Sequence, residues 1–266
     1  MNWFEIIIFV FLFMGVYKYQ KNWMPVYPSF FAEGKLIKIG HRGASALAPE
    51  NTVASFTKAV ETGMNGIELD VQYSADKQLV VYHNWNLKAL NGSIKLINNM
   101  PYSEIQELSQ NDDENNKIPL LGEVLDVLSK KCIIVVEIKS AHILNTVIEK
   151  NVLDIIHNYG FDQNCIISSF NPIILWRIRK LNPNILTAYL WSKTDPQFIL
   201  NSPLWVWLCR PDAFHADIAF LEEKLMQWIR RKKMSVLTFT VKTSSDLTKA
   251  KHLGVDGIIM DDPFLN

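Results

Sequence analysis

Beyond residue 36 the chain alternates between short runs rich in β-branched and aromatic residues and longer stretches whose apolar positions recur every three or four residues. The first kind predicts strands over 36–40, 66–70, 132–139, 165–170, 185–191, 213–217, 235–241 and 257–261. The second predicts amphipathic helices, as in ENTVASFTKAVETG, LLGEVLDVLSKK, ILNTVIEKNVLDIIHNYG and FLEEKLMQWIRRKK. Several of these close on Gly or on Lys and Arg, as helix C-termini prefer. Eight strands separated by helices predict an α/β fold, a (β/α)8 TIM barrel, with a doubly wound open sheet as the alternative.

One pair of runs breaks the alternation. GIELDVQYSADKQLVVYH, residues 66–83, joins two strand-like runs through a link too short for a parallel crossover, so the second run must be antiparallel. It is therefore an excursion from the barrel rim. A turn centred on Asp76-Lys77 would oppose Asp70 to His83. Glu68 and Asp70, two apart, share a face of the pleat, so the hairpin predicts two carboxylates and an imidazole in one small volume.

The start of the chain is different material. Residues 6–17, IIIFVFLFMGVY, carry no charge, and Trp3, Phe4 and Tyr19 extend the run to a length marginal for a membrane span. No basic residue precedes it and no A-x-A-like cleavage site follows, whereas Lys18 and Lys21 come directly after. This favours a single-pass N-terminal anchor with the catalytic domain on the cytoplasmic side. A signal peptide and a hydrophobic helix packed on the domain are the alternatives. The expected organisation is an anchor over 1–24, a linker over 25–35 and the barrel over 36–266. The segment NWMPVYPSFFAEGK, rich in aromatics, suits a membrane surface and is expected to hold the barrel mouth near lipid. Trp-rich SPLWVWL, residues 202–208, reads either as a lipid-facing lip at that mouth or as a buried helix.

Composition narrows the function. The 266 residues carry a net charge of zero, which offers no basic footprint for nucleic acid. Cys132, Cys165 and Cys209 have neither disulfide nor zinc-ligand spacing and read as buried thiols. In a barrel, chemistry gathers at the carboxyl ends of the strands. Those ends offer His41 and Arg42, Glu68 and Asp70, Glu137 and Lys139, Ser169 and Phe170, Trp191, His215, Lys242 and Asp261. Three crowded carboxylates require a counter-charge, which a hard divalent cation, Mg2+ or Ca2+, would supply. Histidines beside it suit acid and base, and Arg42 with Lys139 suits a phosphate. Together they describe phosphodiester cleavage. Each residue also has a bland reading: strand-edge charges for the acids, an internal ion pair for Glu137 and Lys139, surface roles for His142, His157 and His252.

The motifs also resemble a known family. IGHRGASALAPENTVASFTKAVETGMNGIELDVQYSADKQLVVYHN, then IPLLGEVL, VVEIKS, IISSFNP and GVDGIIMDDP in order, resemble the glycerophosphodiester phosphodiesterases over about residues 37–263. The resemblance implies a (β/α)8 barrel that, with a divalent ion, hydrolyses glycerophosphodiesters to glycerol 3-phosphate and an alcohol. It implies His41 and His83 as the acid/base pair, Glu68, Asp70 and Glu137 as metal ligands, and Arg42 and Lys139 as phosphate contacts. Glu50, His215 and Lys242 are further candidates. Asn84 departs from the family's usual aspartate, and Phe239-Thr240-Val241-Lys242 from its Trp-Thr-Val-Asn. A lysophospholipase D acting on membrane lysophospholipids and an inactive headgroup binder remain the alternatives.

Overall fold

Parallel strands covered on both faces need near-continuous apolar runs. The chain supplies them in β1 (Ile37–Gly40) and β2 (Gly66–Tyr73), leaves for an excursion through β3 (Leu79–Val81), β4 (Asn86–Lys88) and β5 (Ile94–Leu96), then resumes. The later strands are β6 (Ile133–Ile138), β7 (Cys165–Ser169), β8 (Leu186–Trp191), β9 (Ala213–Asp217), β10 (Ser235–Val241) and β11 (Gly257–Met260). This computed structural model describes residues 15, 18, 19, 21, 23–31, 34–88, 94–109, 117–130, 132–140, 147–194 and 202–266. The run over 6–17 and His142 therefore fall almost wholly or wholly outside the described residues. Among the described residues no helix is long and apolar enough to cross a membrane.

The eight parallel strands run in the order β1-β11-β10-β9-β8-β7-β6-β2 and close through β1–β2, with Ile39 opposite Gly66. This is the TIM barrel, and the open-sheet alternative falls away. A Cβ on Gly66 would lie 2.2 Å from the Ile133 carbonyl oxygen, so the closing strand must be bare there. Ile37, Ile39, Val135, Ile166, Leu186, Leu237 and Ile259 fill the barrel interior, and a larger apolar layer seals strands to helices.

β3 pairs antiparallel with β2 as predicted, but one residue out of the expected register. Val71 opposes Val81 and Tyr73 opposes Leu79, so Asp70 faces Tyr82 rather than His83. The cause is a three-residue loop, Ala75-Asp76-Lys77, with Lys77 in the left-handed region at φ 64° and Ser74 N–H bonded to Gln78 O. The expected two-residue turn would have needed Asp76 there, and in its type I′ form both residues.

The aromatic segment after the N-terminus lies under the barrel, not at its mouth. Phe31, 4% exposed, packs with Ile37, Ile133, Leu186 and Ala213 at the strands' N-terminal ends. The Val26 N–H donates to Asp212 Oδ1 (3.0 Å) and the Tyr27 hydroxyl to Asp256 Oδ1 (2.7 Å), and those acids directly precede β9 and β11. SPLWVWL occupies the same end. It forms a 3-10 turn (Pro203–Trp205) and a short helix, Val206–Cys209, in which Val206 and Cys209 are buried while Leu204 and Trp207 stay exposed. It is no lip of the mouth.

Candidate active site

Parallel pairing of β2 with β6 sets Asp70 beside Glu137, and Glu68 shares Asp70's inward face. One oxygen from each of Glu68, Asp70 and Glu137 lies within 4.8 Å of the others. Three acids so close and so buried cannot all be charged without help. Burial first, then Asp70 and Glu137, raises Glu68 well above the usual carboxylate range. Burial likewise lifts Glu137 to about 7, against the pull of Lys139. Asp70 goes the other way: burial favours its neutral form, but Lys139, His83 and Arg42 outweigh that and hold its pKa down.

The cations stand between these acids. Lys139 Nζ lies 3.2 Å from Glu137 Oε1 and 3.5 Å from Asp70 Oδ1. Arg42 Nε lies 3.4 Å from Asp70 Oδ2, and the Arg42 backbone N–H donates to Glu68 Oε2 (3.0 Å). The bland reading of Glu137 and Lys139 as an ion pair is thus half right: they do pair, but inside a cluster that also holds Asp70.

The loop after β1 is shaped for this. Arg42 and Asn51 both adopt left-handed backbone, at φ 54° and 57°, a conformation that costs about 1–3 kcal/mol for residues other than glycine. Gly43 at φ 86° passes so near Ser55 that a Cβ would lie 2.2 Å from its Oγ. The three residues of Glu50-Asn51-Thr52 then do three different jobs. Glu50 grips the Arg42 guanidinium through both carboxylate oxygens, each 2.9 Å from Nη1. Asn51 donates to Asp70 Oδ2 (2.8 Å) and accepts from the Asp70 N–H. Thr52 caps the following helix, α1 (Val53–Glu61), by accepting from the Ser55 N–H.

Both histidines reach the cluster. His41 follows β1, and its Nδ1 lies 2.6 Å from Asp261 Oδ1. With the proton on Nδ1 this is a charge-assisted hydrogen bond that fixes the ring and leaves Nε2 free. Asp261 is anchored in turn by the Ser45 hydroxyl (3.1 Å). His83, one residue beyond Tyr82, has Nδ1 2.9 Å from Asn84 Oδ1. Burial lowers the His83 pKa, with Asp70 opposing.

His41, Arg42, Glu68, His83, Glu137, Lys139, His215 and Lys242 all line one cavity of about 240 Å³. His215 sits at its bottom, fully buried, with no partner to either ring nitrogen among the described residues, and burial lowers its pKa to about 3. Lys242 stands at the rim, 63% exposed, with Nζ 3.8 Å from Asp261 Oδ2. A second cavity of about 380 Å³ opens beside the first, with Trp85, Phe170, Phe239, Ser192 and Asp217 in its wall. His157 and His252 are exposed and lie on the helices α4 (Val147–Asn158) and α8 (Ser244–Leu253), away from the cluster. Between α1 and α4 come α2 (Tyr102–Ser109) and α3 (Leu121–Val127). Two contributors escape a reading of the sequence: Asp261, noted at a strand end but not tied to His41, and Asn51.

The sequence profile of the glycerophosphoryl diester phosphodiesterase family matches residues 41–265. The chain is 33% identical over 237 residues to a glycerophosphodiester phosphodiesterase of Caldanaerobacter subterraneus, covering 86% of this chain and 95% of that one. Its structure resembles that of the Thermotoga maritima glycerophosphodiester phosphodiesterase, with TM-score 0.70, 32% identity and coverage of 86% and 96% of the two chains. It also resembles an Oleispira antarctica phosphodiesterase in complex with the product sn-glycerol-3-phosphate, with TM-score 0.75, 25% identity and coverage of 88% and 96%.

Proposed function

The chain belongs to the glycerophosphoryl diester phosphodiesterase family, and on that premise we propose how its site works and on what. It is an enzyme that hydrolyses glycerophosphodiesters, giving glycerol 3-phosphate and an alcohol. The observation that carries the reading is the meeting of Glu68, Glu137, Arg42 and Lys139 with His41 and His83 in one cavity, with Asp70 buried against its acids.

The donor set fits a divalent cation. Glu68, Asp70 and Glu137 offer only oxygens, they are strongly buried, and two of them are pushed towards neutrality, by burial first and by their crowding after it. Hard oxygen donors of this kind select Mg2+ or Ca2+. When bound, the ion supplies Lewis-acid polarisation of the phosphoryl group. Arg42, held by Glu50, and Lys139, held by Glu137, present positive charge to the phosphate oxygens. Each histidine has its Nδ1 engaged, by Asp261 or by Asn84, so each turns Nε2 to the substrate. One imidazole takes the proton of the attacking oxygen, and the other gives a proton to the leaving alkoxide. His215 is a neutral hydrogen-bonding group at the cavity bottom, and Lys242 adds charge at the rim.

Asn84 supports His83 without adding charge. Asn84→Asp is therefore expected to keep or raise turnover, read as kcat on glycerophosphocholine; a fall of tenfold or more would mean that the position is built for an amide. The composition of residues 6–17 and the lysines behind them support a membrane anchor with the catalytic domain in the cytoplasm.

The direct test is release of glycerol 3-phosphate from glycerophosphocholine by the full chain. Activity is expected to vanish with a chelator and to return with Mg2+ or Ca2+. Binding of the diester without release would instead identify an inactive headgroup binder, and activity untouched by chelation would remove the cation from the mechanism.

A further inference from the structure

We propose that the floor of the barrel, the end opposite the catalytic mouth, rests on a lipid bilayer, so that the mouth opens to water. The floor carries the exposed apolar side chains of Met24 (63%), Val26 (53%), Tyr27 (46%), Leu204 (61%) and Trp207 (41%). They form one surface, because Trp23 packs edge-on against Trp207 at 6.5 Å between ring centroids, and Val26 and Tyr27 are bonded to the acids that directly precede β9 and β11.

Cations border this surface in a particular way. Lys232 Nζ lies 3.5 Å above the Trp207 ring, and the Arg210 guanidinium lies 3.2 Å above the Tyr19 ring. Trp and Tyr beside Lys and Arg, with apolar side chains between them, are the composition of a membrane interface, where the rings sit at headgroup level and the cations meet anionic lipid. A protein-facing patch would be depleted in lysine.

The chain itself says what covers the patch. The uncharged run over residues 6–17 leads directly into Lys18 and Tyr19, and the Tyr19 hydroxyl donates to the Leu208 carbonyl on the floor (2.8 Å). A segment composed for hydrocarbon thus enters the fold at the exposed aromatic face. The mouth has apolar groups of its own, Trp85 (45%), Ile94 (70%) and Leu96 (47%), but Trp23, Val26 and Tyr27 are tied to the floor.

The orientation does not depend on the proposed catalysis; its consequence for substrate does. With the floor on the membrane, the six-residue strand β6, tilted as barrel strands are, alone sets the mouth roughly 15 Å further from the surface. A lysophospholipid would have to leave its leaflet to reach the acids, whereas a deacylated, water-soluble glycerophosphodiester arrives freely. The enzyme would then follow a deacylation step that releases such diesters.

The test uses the full chain in vesicles of phosphatidylcholine and phosphatidylglycerol. The native cysteines are all buried, so an environment-sensitive dye can be attached to Leu204→Cys on the floor or to Ile94→Cys at the mouth. Both positions are exposed, where substitution changes stability little. The floor dye is expected to shift to the blue and to be quenched by brominated lipid at least threefold more than the mouth dye. Equal quenching, stronger quenching at the mouth, or a floor dye shielded only by a second copy of the chain would overturn the orientation. Lysophosphatidylcholine in the same vesicles is expected to be cleaved at least tenfold more slowly than glycerophosphocholine. Comparable rates, with the dye result intact, would overturn the substrate consequence alone.

Discussion

His41→Ala is expected to lower kcat for glycerophosphodiester hydrolysis by about 10²–10⁴, the usual contribution of a positioned acid or base. His83→Ala should fall in the same range. The two rings act on one substrate in one event, so the double variant should lose little beyond either single one, as groups that work as a unit do. Asp261→Asn separates positioning from chemistry. An amide in place of the carboxylate 2.6 Å from His41 Nδ1 keeps the volume but can present its NH2 to the ring and so favour the wrong tautomer. The expected result is a fall in kcat with KM nearly unchanged and a shifted acidic limb of the pH–rate profile. A residual rate within a few fold of wild type in His41→Ala would remove that ring from the reaction.

That His41 depends on Asp261 was hard to read from sequence, and the reason is topological. The two are 220 positions apart and meet only because β1 pairs in parallel with β11, Gly40 against Met260. The runs that build the strands are local and legible: Ala213–Asp217 and Ser235–Val241 form over the residues that their pattern predicts, and the other parallel strands shift at one or both ends by one to three residues. Inward-facing acids two apart on a strand are legible too, because the pleat fixes their side. What a pattern of apolar and polar positions lacks is the pairing between remote strands and the length of a loop. The hairpin after β2 illustrates the second: nothing in SADKQ distinguishes two loop residues from three, yet that choice moves His83 off Asp70 by one position. His83 reaches the site regardless, since the chain turns inward beyond Tyr82.

The role of Asn51 is hidden in the sequence for another reason. Its neighbours in Pro-Glu-Asn-Thr look like the start of a helix, and Thr52 does cap one. The left-handed backbone at Asn51 that turns its amide onto Asp70 leaves no trace in hydropathy. The aromatic segment over 22–35 is legible only in part. Its composition announced an interface, but composition carries no direction, and only Phe31 seated under the strands shows which end of the barrel it covers.

Glu68→Gln should move activity and metal-free stability in opposite directions. In the wild type, Glu68 is 6% exposed beside Asp70 and Glu137, and burial and like charge both oppose its ionisation. An uncharged amide of the same shape relieves that repulsion and can still accept from the Arg42 N–H, 3.0 Å away in the wild type. Without divalent ions the variant is therefore expected to melt at or above the wild-type temperature near pH 7. The sign reverses when the ion is supplied. A ligand at a hundred times its Kd stabilises the folded state by about 2.7 kcal/mol. For a domain of this size that is a rise in Tm of roughly 5–11 °C. The wild type should show this rise with Mg2+ or Ca2+ and the variant should lose most of it, together with nearly all turnover. Calorimetry of both proteins with and without the ion reads the stability half with no substrate present. If the variant melted well below the wild type in chelator and kept its full response to the ion, Glu68 would be a structural carboxylate, and the cation would have to be held by other groups.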